Sequence, residues 1–199
     1  MSVCKAGLKS VLAKRALSIV GGLAVIGWPF AVWLALSYPK LHILLPVLAL
    51  CFVLRLCALR GKTGALSRAF KGLAIAGAVL SLASIWMREA QLLLWYPVVV
   101  NMVMLALFGA SLWSKQSLIE RLARWREGDL PAAGVRYTRR VTQVWCIFFI
   151  LNGSMALLTC LAGNIHWWTL WNGMVSYLLM GALFTGEWLV RQRVKRRYE

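Results

Sequence analysis

Residues 141–163 read VTQVWCIFFILNGSMALLTCLAG and contain no charged side chain. A helix needs about 20 predominantly apolar residues to cross the hydrocarbon core of a bilayer, which is about 30 Å thick. The stretch is too long for a barrel strand and lacks the alternation of apolar and polar residues that such strands show. It therefore predicts a membrane-spanning α-helix, and it sets the fold class for the rest of the chain.

Stretches of the same character occur six times in the sequence. The predicted spans are Leu17–Leu36, Leu41–Leu59, Gly72–Met87, Leu92–Trp113, Val141–Gly163 and Trp168–Val190. The third is the shortest, and it extends toward Leu66 if Arg68 and Lys71 reach out to the headgroups. The first is longer than the apolar region of a signal peptide, so we expect a retained helix.

The composition agrees with an integral membrane protein. Of 199 residues, 61% are apolar and 15% are charged, whereas globular proteins have about 45–50% and about 25%. A soluble chain of this size could not bury so much apolar surface. The five cysteines form no CxxC or Cys/His cluster, so we expect no disulfide framework, no metal site and no cofactor.

The positive charges predict the orientation of the spans. The chain has 23 Lys and Arg against 6 Asp and Glu. All of the positive residues except Lys40 and Arg88 lie near the two termini or near the loops after the second and fourth spans. Because cytoplasmic loops are rich in Lys and Arg, both termini are predicted to be cytoplasmic. The excess charge would then face anionic lipid headgroups, not nucleic acid.

These features together predict an all-α fold. It is a polytopic bundle of six transmembrane helices forming a single transmembrane domain over residues 1–199. Gly77 and Ser81 form a small-xxx-small pair that allows close helix packing, so we expect the third span inside the bundle. A dimer face is the alternative for these small residues, which leaves a homo-oligomer open.

The cytoplasmic loop 114–140 contains a further predicted element. Ser117 and Glu120 fit a capping box, and Gly128 and Pro131 mark the end of a short helix. Its apolar face is predicted to hold Leu118, Ile119, Leu122 and Trp125, and its opposite face Arg121, Arg124 and Arg126. This pattern is typical of an amphipathic helix at the membrane interface.

Three arginines follow this helix at the mouth of the fifth span. Arg136, Arg139 and Arg140 are candidate phosphate ligands, because guanidinium groups bind phosphates in a bidentate manner. Anchoring to lipid headgroups is the alternative role.

The spans also contain polar candidates. Asn101, Asn152 and Asn172 either hold helices together or line a shared polar pocket, for which Asn101 and Asn152 are the best candidates. Glu187 is the only acid within a predicted span. We expect an ion pair with Arg139, Arg140 or Arg191, and a role in proton or ligand binding is the alternative.

The second half of the chain resembles a known family. The residues that carry the resemblance are Tyr96–Asn101, Ile119–Arg124, Asp129–Pro131, Val135–Thr142, Val144–Cys146, Phe149, Asn152–Gly153, Asn172–Gly173, Tyr177–Gly181 and Gly186–Arg191. They resemble small polytopic inner-membrane proteins encoded in aryl-polyene and xanthomonadin-type pigment clusters of Gram-negative bacteria. No activity is carried over from this family. The resemblance implies an inner-membrane location and a role connected with polyene biosynthesis. In that biosynthesis, polyene acyl chains are made on acidic acyl carrier proteins and attached to a membrane lipid.

No catalytic motif such as HExxH, GxSxG or Walker A is present. The leading hypothesis is an accessory or docking protein. Its expected partners are membrane lipids and, at the cytoplasmic face, an acidic acyl carrier protein or other biosynthetic enzymes. One alternative is a small transporter or flippase of a lipid intermediate that uses Asn101, Asn152 and Glu187. Another is a membrane transferase whose site has no recognisable motif.

Overall fold

The computed structural model describes residues 32–34, 37, 44–61, 64–87 and 90–195. Most of the predicted first span, Leu17–Leu36, lies outside these residues. Within them the regular structure is helical and no strand is present, which confirms the all-α class. The helices are α1 (Leu44–Ala58), α2 (Ala65–Met87), α3 (Tyr96–Leu112), α4 (Leu118–Glu127), α5 (Ala132–Leu161), α6 (Ile165–Leu170) and α7 (Ser176–Lys195).

Four helical stretches among the described residues are long and apolar enough to cross a membrane. They are Leu66–Met87, Gln91–Leu112, Ala132–Leu161 and Ile165–Val194. These stretches match the predicted third to sixth spans. Helix α1 covers most of the predicted second span and contains a shorter apolar segment, Ala49–Ala58.

The contacts within the chain group it into two compact units, Met1–Val99 and Val100–Glu199. In the first, α1 and α2 pack closely at Gly77, where an added Cβ would lie 2.5 Å from the ring of Phe52. Ala74, Ala78 and Ser81 are also buried on α2. A packing role is confirmed at Gly77, because the missing Cβ lets the Phe52 ring approach the α2 backbone. The position of this span inside the bundle stays a prediction.

A 3₁₀ segment, Ala90–Trp95, precedes α3 where the sequence predicted one continuous span from Leu92. Pro97 lies in the first turn of α3, where its missing N–H costs least. Tyr96 is buried and its ring centroid is 5.3 Å from that of Phe52.

The core of the second unit is aromatic. Trp145, Phe148 and Phe149 on α5 are buried against partly buried residues of α3, α4 and α7. The rings of Phe108 and Phe149 meet edge to face with centroids 5.2 Å apart, an arrangement that aromatic pairs favour.

Helix α5 begins at Ala132 and not near Val141. The apolar pattern marked only the part of the helix suited to lipid, and the polar N-terminal turns continue beyond it. The three candidate arginines therefore lie on a helix, which determines where each side chain points.

Candidate functional site

The predicted helix in loop 114–140 is present as α4. The hydroxyl of Ser117 accepts a hydrogen bond from the Glu120 backbone N–H at 3.4 Å. Ser111 Oγ accepts from the Leu118 N–H at 2.9 Å. Gly128 follows the helix with φ +78°, a left-handed value that glycine adopts without strain. The capping residues thus fix both ends of α4 beside the end of α3.

The side of α4 that faces the protein carries Glu120 and Ala123. Glu120 is buried, and its carboxylate pairs with Arg124 at 3.0 Å. Arg124 also reaches Asp129 at 3.0 Å. The predicted apolar residues Leu122 and Trp125 are exposed, and Trp125 is 86% exposed. The Arg124 guanidinium neutralises Glu120, so this acidic side chain can be buried against the protein. Arg124 itself is only partly exposed.

The three candidate arginines play different roles. Arg139 donates a hydrogen bond from Nη2 to the backbone carbonyl of Leu112 at 2.9 Å. It thereby satisfies one of the free carbonyls at the end of α3. Arg136 and Arg140 are exposed, and neither guanidinium contacts an acceptor among the described residues. They lie four residues apart, so they are neighbours on one face of α5.

Two of the three predicted partners of Glu187, Arg139 and Arg140, form no ion pair with it in the described part of the chain. The pairing with Arg191 stays a prediction. The hydroxyl of Tyr137 lies 3.0 Å from the Glu187 backbone carbonyl and 3.5 Å from its Oε1. A hydroxyl has one proton, so the shorter contact is the principal hydrogen bond. Tyr137, Val141 and Trp145 recur every four residues and face α7, whereas the Arg139 side chain reaches the end of α3 and Arg140 is exposed.

Helices α4, α5 and α7 line an open cleft of about 890 Å³ around the Tyr137–Glu187 contact. This volume is typical of a small-molecule site. Its lining includes Leu122, Trp125, Leu130, Trp145, Trp188 and Arg191. The cleft is thus mostly apolar, with a hydroxyl, carboxylates and a guanidinium on its walls. Tyr137 was not predicted as a site residue, because its position relative to α7 has no signal in the sequence.

The structure brings Asn101 and Asn152 together. The Asn152 amide donates from Nδ2 to Asn101 Oδ1 at 3.1 Å. Its own Oδ1 accepts from Trp171 Nε1 at 3.1 Å and from Ser176 Oγ at 2.7 Å. Gly153 lies next to this contact, since an added Cβ would be 3.0 Å from the Asn101 Cβ. Buried amides gain from such internal partners.

Asn172 belongs to a separate contact. Its Nδ2 donates to the Trp168 carbonyl at 2.9 Å and to Thr159 Oγ1 at 3.3 Å. A π-helical turn, Trp171–Val175, connects α6 to α7 here. A π-turn inserts an extra residue in a helix. This turn therefore rotates the side chains of α7 relative to those of α6. The four intramembrane candidates therefore do not form one site.

Among the described residues, no group of three or more His, Cys, Asp or Glu side chains could hold a metal ion. Comparison with protein-family models, curated proteins and solved structures gives no match to this chain. The geometry described above therefore carries the functional argument.

Proposed function

We propose that this chain is a six-span protein of a bacterial inner membrane with both termini in the cytoplasm. Four apolar helices of spanning length support membrane insertion. The segregation of all Lys and Arg residues except Lys40 and Arg88 supports the orientation. In this arrangement α4, the start of α5 and the end of α7 lie at the cytoplasmic surface.

On this basis, the proposed function is docking of an acidic acyl carrier protein, as an accessory step in the biosynthesis of a lipid-linked polyene or a similar acyl product. One observation carries the proposal. Arg136 and Arg140 expose two guanidiniums on one face of α5, and no described residue neutralises them. Exposed charges of one sign steer a partner of the opposite sign.

The cleft between α4, α5 and α7 supports an acyl-bearing partner. Trp125 is 86% exposed and Trp188 is 56% exposed at its edge. Large exposed apolar side chains near a charged surface favour an amphiphilic ligand, because they can cover its apolar part while the charges contact its polar part. The carrier's acidic surface would contact Arg136 and Arg140, with its acyl group near the cleft.

Transport is less well supported. A polar path would need accessible groups, whereas the Asn152 amide is buried and uses both ends of its side chain on Asn101, Trp171 and Ser176. Opening such a path would break these hydrogen bonds. The cluster fits the interhelical packing role better.

Binding of purified acyl carrier protein to the protein in lipid nanodiscs tests the proposal. We expect the double variant Arg136→Gln/Arg140→Gln to weaken binding about tenfold, since each exposed ion pair contributes roughly 1 kcal/mol or less. The matched control is Lys115→Gln/Arg193→Gln, which removes the same charge from exposed positions elsewhere. This control should bind the carrier protein nearly as well as the parent does. Added salt should weaken carrier binding by the parent. Equal binding by the parent and both double variants would contradict docking at this face.

A further inference from the structure

A second concave surface lies between α5 and α7 and is distinct from the cleft under α4. It is a groove of about 960 Å³. Its walls are mainly aliphatic and include Val144, Ile147, Leu151, Leu179 and Leu183. Both helices belong to stretches of membrane-spanning length and apolarity. The groove is therefore placed where hydrocarbon chains would surround it.

The groove has different chemistry at its two ends. Arg140 and the Tyr137–Glu187 contact lie at the end near the start of α5. Asn152 and Trp171 lie at the far end, where they bond to each other. Arg140 is exposed and contacts no acceptor among the described residues. The carboxylate of Glu187 faces the hydroxyl of Tyr137 and forms no ion pair with Arg140.

The length of the groove fits one acyl chain. It follows α5 from Arg140 to Met155, which corresponds to about 22 Å at 1.5 Å per residue. One leaflet contributes half of a hydrocarbon core of about 30 Å, or about 15 Å. A chain with its headgroup at Arg140 could lie along the groove for the whole depth of the leaflet.

We propose that this groove binds one acyl chain of an anionic glycerophospholipid from the cytoplasmic leaflet, with the lipid phosphate on Arg140. The Arg140 guanidinium favours an anionic phospholipid, because Arg binds phosphate through several N–H donors. The cytoplasmic leaflet contains such anionic headgroups. The aliphatic walls give the chain a surface that matches it. This lipid site shares Arg140 with the proposed carrier surface, but its aliphatic groove is not part of that surface.

Two glycines of α7 provide a matched test. Gly186 lines the groove and Gly181 does not. A Cβ added at either glycine would meet no atom within 4 Å, so a larger side chain causes no internal clash at that point. Gly186→Leu should place its side chain in the groove, whereas Gly181→Leu adds the same side chain to the same helix outside it.

The experiment uses photo-crosslinking with phosphatidylglycerol that carries a diazirine on one acyl chain, in nanodiscs with the full-length protein. Mass spectrometry then quantifies adducts on residues 140–155 and 179–190. We expect Gly186→Leu to reduce these adducts several-fold and Gly181→Leu to leave them near the parent level. A diazirine phosphatidylcholine probe should label the parent less than phosphatidylglycerol does. Arg140→Gln should remove that preference, and the exposed Arg193→Gln should retain it.

Three results would overturn the lipid site. Equal labelling of the Gly186→Leu and Gly181→Leu variants would indicate annular lipid only. Adducts between two copies of the chain along the groove would indicate self-association in place of lipid binding. Retention of the phosphatidylglycerol preference in Arg140→Gln would exclude this arginine as the phosphate ligand. Since Gly186→Leu leaves Arg136 and Arg140 in place, its effect on labelling separates failure of this site from failure of carrier docking.

Discussion

The hydroxyl of Tyr137 donates a hydrogen bond to the backbone carbonyl of Glu187 across 50 residues of sequence, at an O···O distance of 3.0 Å. The bond joins the start of α5 to the end of α7. Both residues line the cleft and the groove, so this contact forms part of the wall between them. The acceptor is a backbone atom, and the contact therefore depends on the tyrosine hydroxyl more than on the acidic side chain.

The first prediction concerns that hydroxyl. Tyr137→Phe should lower the free energy of unfolding in detergent by about 1 kcal/mol, the usual net contribution of such a hydrogen bond. Glu187→Gln should change it less, because the backbone carbonyl still accepts. Denaturant titration followed by tryptophan fluorescence measures both variants. A larger loss in Glu187→Gln than in Tyr137→Phe would show that the carboxylate carries the contact.

The second prediction concerns the Asn101–Asn152 hydrogen bond. In a double-mutant cycle with Asn101→Val and Asn152→Val, we expect a coupling energy between about 0.6 and 1.7 kcal/mol. Asn152→Val alone should be the costlier single change, since it also removes the acceptor of Trp171 and Ser176.

Gln143→Leu provides the control for this cycle. Gln143 is an exposed amide on the same helix, and its replacement should change stability little. If the cycle gives no coupling, the two amides do not hold α3 and α5 together.

The third prediction concerns helix packing in the first unit. Gly77→Ala places a methyl group against the Phe52 ring and should destabilise the protein by about 1–3 kcal/mol through overpacking. Phe52→Leu in the same chain should recover part of this loss by removing the ring. Gly72→Ala is the matched control, because a Cβ at this α2 position meets no atom within 4 Å. Equal stability of the two alanine variants would argue against the close approach of α1 and α2.

The sequence predicts features that depend on one helix at a time. The apolar runs give the positions of α2, α3, α5 and the α6–α7 stretch to within several residues. The Ser117 cap is likewise local, since it involves a side chain and a backbone N–H three residues later. Helix ends are less well predicted, because polar turns such as the start of α5 continue the helix beyond the apolar run.

Most contacts between helices could not be predicted from the sequence. Arg139 bonds to Leu112 and Tyr137 bonds to Glu187, and both contacts depend on how α5 is rotated relative to its neighbours. The pairing of Asn101 with Asn152 was an exception, because two amides at similar depth in hydrocarbon have few other partners. Trp168 is fully buried, although its place at the start of the predicted sixth span gives no local signal of burial.

Topology provides the most direct test of the account, because docking and lipid binding both require Arg136 and Arg140 to face the cytoplasm. Dual reporter fusions to alkaline phosphatase and green fluorescent protein measure the location of each loop in cells. Fusions after Arg60, Lys115 and Arg197 should be fluorescent and lack phosphatase activity, as cytoplasmic sites do. Fusions near Lys40, Arg88 and Asn164 should show the reverse. Phosphatase activity after Lys115 or Arg197 would place the arginines on the wrong side of the membrane and contradict the account.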